Sequence, residues 1–124
     1  MVALPKQVQE AWENREGPAI LATVSENGEP NIVFVTCVAI LSGDKVVIAD
    51  NYFFKTRKNI LHGSKGSLLF RAKDGKAFQV KGTLEYHKDG EMFDYMKSWN
   101  PSQHPGHAAV VIMVEDVYSG ADKL

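Results

Sequence analysis

The chain of 124 residues contains a single cysteine, Cys37. One thiol excludes an internal disulfide and any zinc site built on several cysteines. Neither sign of charge is in excess: 14 Lys and Arg stand against 15 Asp and Glu, for a net charge of -1. That balance argues against a duplex-DNA binder, which needs a basic surplus to displace counterions. Long apolar runs are missing too. The longest, Ile32 to Leu41, is about half of what a bilayer span requires. The opening Met1-Val2-Ala3-Leu4-Pro5 lacks the basic-then-apolar pattern of a secretory signal. No serine elbow, HExxH helix, Walker loop or GxGxxG fingerprint occurs. The expectation is one soluble, cytoplasmic domain over residues 1–124, with no membrane or nucleic-acid partner and no resident metal.

What the chain does have is an ordinary globular mixture, 44% hydrophobic and 23% charged. At this size folding buries roughly two-thirds of the unfolded surface, enough for a core without staples. Turn signals at Glu26-Asn27-Gly28-Glu29-Pro30, Ser42-Gly43-Asp44 and Asp74-Gly75-Lys76 cut the sequence into short extended segments. The strands this leaves are 18–25, 31–41, 45–50, 67–73, 77–87 and 108–118, a spacing that suits a barrel or sandwich. Phe78, Val80, Gly82, Leu84 and Tyr86 alternate with polar residues, so that strand has one wet face. Segments 18–24 and 32–41 are apolar on both faces and require cover outside as well as inside, a first pointer to a second subunit. Helices are expected over 5–15, 55–62 and 90–99, the last behind an Asp89 N-cap and stopped by Pro101.

The most informative segment is Asp50-Asn51-Tyr52-Phe53-Phe54-Lys55-Thr56-Arg57-Lys58-Asn59-Ile60. A strand ends, a short loop follows, and a helix opens on cations, which its dipole disfavours. A bound phosphate reverses that penalty, with the free helix amides, the Thr56 hydroxyl and the Lys55 ammonium as its ligands. The bland alternative is a solvated basic turn with Thr56 as an ordinary N-cap. Aromatics beside cations also fit a single-strand nucleic-acid binder, but there is no second such cluster and no net positive charge. His104 and His107 flank Pro-Gly in a loop, with no acidic or cysteine ligand beside them. Cys37 reads as a small buried hydrophobe. Glu115 and Asp116, adjacent on a strand, point to opposite faces and cannot form a catalytic pair.

Taken together, Ala19-Ile20-Leu21-Ala22-Thr23, Asn27-Gly28-Glu29-Pro30, Val46 to Asn51, Lys55-Thr56 with Asn59-Ile60, Gln79 to Thr83, and Ala109-Val110-Val111 to Val117-Tyr118 form an ordered set. In that set the chain resembles the small FMN-binding split barrels related to pyridoxamine 5'-phosphate oxidase. The resemblance implies a mainly β fold: a six-stranded antiparallel split barrel with about three short helices. It implies a homodimer with FMN at the interface, acting as a flavin-dependent oxidoreductase or electron carrier on an unknown redox partner or small-molecule substrate. Carried onto this sequence, it gives Lys55 and Thr56 the FMN phosphate, with Arg57 as helper. Asp50 and Asn51 run past the ribityl chain, and Phe34, Val35 and Thr36 line the flavin ring. Trp99 reaches the partner's flavin. No catalytic side chain is implied. The chain ends at Leu124 without the Arg- and His-bearing substrate segment of the true oxidases, so pyridoxamine-phosphate oxidation is not expected. Some relatives hold haem or a deazaflavin instead, which leaves a non-catalytic cofactor-binding module as the alternative.

Overall fold

The computed structural model describes residues 2–124. In chain order the elements are α1 (Lys6–Glu13), β1 (Ala19–Val24), β2 (Pro30–Val35), β3 (Val38–Leu41), β4 (Lys45–Asp50), α2 (Lys55–His62), β5 (Gly66–Arg71), β6 (Ala77–His87), α3 (Gly90–Trp99), β7 (Ala108–Ser119) and β8 (Asp122–Lys123). The sheet is antiparallel in the order β2-β1-β5-β6-β7-β4-β3, with β8 added to β7. Eight strands thus replace the six expected. One of the extra two is the short β8; the other comes from a break in 31–41. Val35 is the last partner of β1, and Val38 the first partner of β4.

That break shapes the molecule. β2 and β3 lie at opposite ends of the strand order, yet only Thr36 and Cys37 separate them. Three Cα steps reach at most about 11 Å, so the sheet must roll until its two edges are side by side. They meet without a shared ladder among the described residues, and the barrel is split there.

Alternation then sorts the side chains. Leu21, Val46, Ile48, Leu68, Val80, Val110, Ile112 and Val114 fill the interior. The α1 stripe, Val8 and Trp12 with Leu4 ahead of them, joins the same cluster, and Trp12 meets Phe70 edge-on with ring centroids 5.0 Å apart. The opposite faces of β4 and β7 supply Val47, Ala49, Ala109 and Val111 to a second cluster, which Met96, Met92, Phe93 and Trp99 of α3 cover. Asp89 occupies the α3 N-cap position with extended backbone, but its side chain makes no capping bond.

Gly82 sits at a bulge, where the β6–β7 register shifts between Lys81 and Gly82. A Cβ there would lie 2.0 Å from the Met113 carbonyl oxygen, so the two backbones approach at a distance that only glycine permits. Glu115 and Asp116, near this irregularity, pair with different lysines, Lys65 at 3.1 Å and Lys123 at 3.0 Å. No helix among the described residues is long and apolar enough to cross a membrane.

Candidate functional site

At the split, the end of β2, the Thr36–Cys37 link, the β4–α2 loop and the start of α2 enclose a cleft of about 340 Å³. Its lining includes Phe34, Val35, Thr36, Asn51, Lys55 and Thr56, so six of the nine residues singled out in the sequence come together on one wall set. Ligand clefts are ordinarily of this size, mainly apolar with a few placed polar groups. The aromatic rim is strongly exposed: Phe34 at 72%, Tyr52 at 71% and Phe54 at 81%.

α2 opens without a side-chain cap. Phe54 stands at the N-cap position, and Thr56, expected there on the bland reading, lies inside the first turn. The first turn carries no acidic residue, and its free amides together with the exposed Lys55 form a positive corner of the cleft. Thr56 is 1% exposed, and its oxygen accepts a hydrogen bond of 2.9 Å from the Asn31 amide. Asn31 also donates to Thr23, as does buried Asn59 at 3.0 Å. This small polar network ties α2 to β1 and β2.

Asp50 and Arg57 lie behind the cleft wall. Asp50 is fully buried and accepts two bonds from Arg57, 2.7 Å from Nε and 3.0 Å from Nη2. It accepts a third from the Tyr86 hydroxyl at 2.5 Å and a fourth from the Phe53 amide at 3.1 Å. A buried carboxylate needs such a complement of donors. The hydrogen bonds that Arg57 donates to Asp50 raise the guanidinium pKa further above its ordinary value. Burial first, then the bond to Asp50, pushes Tyr86 up to about 12. Arg57 is therefore committed to Asp50, and its charge is neutralised where it stands.

Asn51 is equally committed. Its amide exchanges bonds of 3.1 and 2.9 Å with the Asn100 amide and accepts a third from the Gly106 backbone N–H at 3.0 Å. Its side chain thus fastens the 100–107 loop to the end of β4. Trp99 does not line the cleft. It stacks edge-on against Tyr95, centroids 6.0 Å apart, in the outer cluster that also contains Cys37 and Ala49. Those last two residues do line the cleft, so Trp99 flanks it from the far side.

Three contributors escaped sequence reasoning. His104, read as plain loop, joins the lining through the folded-back 100–107 segment, and Cys37 joins it at the β2–β3 link. Tyr86 is a partner of Asp50 across 36 positions. No local signal marks the first or the last; the only trace of Cys37 was its place in a strand that breaks. No group of three or more potential metal ligands exists among the described residues.

A rolled sheet split at β2/β3, an uncapped helix and an open cleft at the split can now be set against known proteins. The sequence profile of pyridoxamine 5'-phosphate oxidase matches residues 4–120. The chain belongs to the pyridoxamine 5'-phosphate oxidase family. An uncharacterized protein of Methanocaldococcus jannaschii is 34% identical over 125 residues, covering 96% of this chain and 82% of that protein. The crystal structure of HupZ from Group A Streptococcus superposes with a TM-score of 0.81 at 23% identity, covering 96% of this chain and 94% of that one. An FMN-binding protein from Syntrophomonas wolfei does so with a TM-score of 0.78 at 21% identity, covering 91% and 83%. Identities this low establish a common fold, and fold alone does not fix function.

Proposed function

We propose that this family member is an FMN-binding flavoprotein, an oxidoreductase or electron carrier that works as a homodimer. The observation that carries the reading is the uncapped start of α2, with Lys55 beside it, opening onto an apolar cleft. A helix start lacking both a cap and an acidic residue, yet carrying a cation, is complete only with an anion. The donor set fits a flavin mononucleotide. Lys55, the Thr56 hydroxyl and the first-turn amides hold the phosphate, while Phe34, Val35 and Thr36, at the end of β2 and the link after it, line the wall beside the ring. Asp50 and Arg57, behind the wall, fix the loop and helix start on which the cradle depends. Asn51, on the wall, runs past the ribityl chain while fastening the 100–107 loop. Trp99, on the flank, closes on the flavin of the second copy. The name of the Syntrophomonas wolfei protein supports the same ligand class.

When bound, the flavin supplies electron transfer at its N5/C4a edge. The protein supplies placement, the phosphate charge balance and exclusion of water. Calorimetric titration with FMN and with riboflavin tests the reading, because only FMN carries the phosphate. FMN is expected to bind more tightly. Lys55→Ala is expected to weaken FMN by roughly ten- to a hundred-fold, the loss of one charge-assisted contact of about 1.5–3 kcal/mol, and to leave riboflavin unchanged. Equal affinity of the wild-type protein for both ligands overturns the phosphate assignment. A Soret band in the absorption spectrum of the purified protein would replace the flavin with haem.

A further inference from the structure

The loop between α3 and β7 is held more firmly than a solvent loop requires. Asn51 bonds both Asn100 and Gly106, His107 donates its backbone N–H to the Asp50 carbonyl at 2.8 Å, and Lys97 Nζ donates to the Pro105 carbonyl at 2.8 Å. Gly106 takes φ +54°, and a Cβ there would stand 2.8 Å from Lys97 Nζ and 3.0 Å from the Asn100 amide nitrogen. The loop is thereby fitted closely against the end of β4. What it delivers is His104, half-buried, on the cleft wall. Its ring meets Tyr52 edge-on, centroids 5.5 Å apart at 87°, and Nδ1 lies 3.0 Å from the Tyr52 hydroxyl.

We propose that Tyr52 fixes His104 as the Nε2–H tautomer and that this N–H is a specificity-determining donor to an acceptor atom of the cleft's ligand. The reasoning is one of capacity. A neutral imidazole has one donor and one acceptor nitrogen, and the bond made at one nitrogen decides the other. Either group could donate across the 3.0 Å contact. A phenol O–H is the stronger donor of the two and an imidazole nitrogen the stronger acceptor. We therefore assign the bond as Tyr52 O–H to Nδ1, which puts the imidazole proton on Nε2, at the opposite edge of the ring. Lys55, the Thr56 hydroxyl and the helix start already account for an anion. The additional donor is therefore matched to a neutral acceptor, a carbonyl oxygen or ring nitrogen of a conjugated heterocycle. The inference rests on the flavin reading and assigns His104 to the ring system, where Lys55 is assigned to the phosphate.

The two assignments separate experimentally. Wild-type protein, His104→Ala, His104→Gln and Tyr52→Phe are titrated with FMN and with riboflavin by fluorescence quenching at pH 8, and the His104 ring nitrogens are followed by ¹⁵N NMR. His104→Ala is expected to weaken both ligands by about three- to ten-fold, the size of one neutral hydrogen bond. His104→Gln, which restores an N–H, is expected to recover most of the loss. Tyr52→Phe is expected to convert the single Nε2–H signature to a tautomer mixture and to weaken both ligands by a smaller factor. Unchanged affinities in His104→Ala, or a loss confined to FMN, overturn the proposal while leaving the flavin reading intact. Wild-type protein that binds riboflavin as tightly as FMN overturns the phosphate assignment, and the riboflavin arm still decides His104. Binding of neither ligand overturns both.

Discussion

Asp50 is the residue on which the cleft's geometry converges: four donors from β4's own loop, α2 and β6 meet on one carboxylate with no solvent exposure. Sequence reading singled out Asp50, Asn51 and Arg57 but not the partners within the chain that hold them. It saw the residue types and their order along the chain. It did not see Tyr86 or Asn100, whose contacts decide that Arg57 and Asn51 face inward as fasteners. The Tyr86 shift has a consequence in alkaline solution. Its folded pKa of about 12 lies above the unfolded value of 10.0, so the folded state keeps a proton that the unfolded chain releases. The stabilisation from Tyr86 is complete below pH 10 and declines as pH rises through the window from 10 to about 12. Spectrophotometric titration of the four tyrosines is expected to show a late phase near the upper end of that window, absent in Tyr86→Phe. A variant that keeps the late phase assigns it elsewhere. Tyr86→Phe also removes a donor from a buried charge and is expected to cost about 1–3 kcal/mol in urea denaturation at pH 8.

Among the elements, those with a strong local pattern were legible. All three helices lie where spacing, Pro5 and Pro101 put them, shortened only in α1. The alternation of β6 correctly separated its buried and wet faces along its first half, with Phe78 and Val80 inside. The break at Thr36–Cys37 was not legible, because no glycine or proline marks it; it is imposed by the demand that one segment serve both edges of a rolled sheet. The outer cover of β4 and β7 was missed for a related reason. A run such as Val46-Val47-Ile48-Ala49 is buried on both faces only because α3, forty residues downstream, lies across it. The bulge is the element-scale feature with the sharpest consequence. Gly82→Ala drives a methyl group to within 2.0 Å of a backbone oxygen, and backbone cannot step aside as a side chain can. At Gly66 the corresponding clash is with the tip of Leu84, at 2.7 Å. Gly82→Ala is therefore expected to destabilise by about 3 kcal/mol or more, against about 1 kcal/mol for Gly66→Ala. Equal midpoints for the two variants in chemical denaturation would refute the account of the β6–β7 approach.

At the scale of the whole molecule, the β2-β1-β5 side of the barrel has an apolar outer face that nothing among the described residues covers. Register places Ile20 opposite both Phe34 and Leu69, and Ala22 opposite Ile32. Phe34 is 72% exposed, Ile32 68%, Val24 45% and Leu69 40%. α3 covers the other side, so the two faces of the molecule differ in kind. The sequence showed two-faced apolarity over 18–24 and 32–41, and the structure narrows the uncovered part to these outward positions. Phe34 belongs both to this face and to the cleft wall, which makes a second copy seated here a neighbour of the ligand as well. Burying a large apolar side chain contributes about 1.5–3 kcal/mol, so several together stand against an association cost of roughly 4–15 kcal/mol. A twofold pairing would bury the same face on both copies at once. The expected outcome in sedimentation is a dimer at micromolar concentration that Ile32→Asp converts to monomer. Ile32 does not line the ligand cleft, so that variant separates assembly from direct ligand contact. If each cleft is completed across the interface, monomeric Ile32→Asp binds FMN more weakly, and FMN in turn raises the dimer population of the wild-type protein, since a ligand that prefers one state stabilises it. Wild-type protein sedimenting as a monomer refutes the assembly. A monomeric Ile32→Asp with undiminished FMN affinity would keep the dimer and confine the flavin site to one chain.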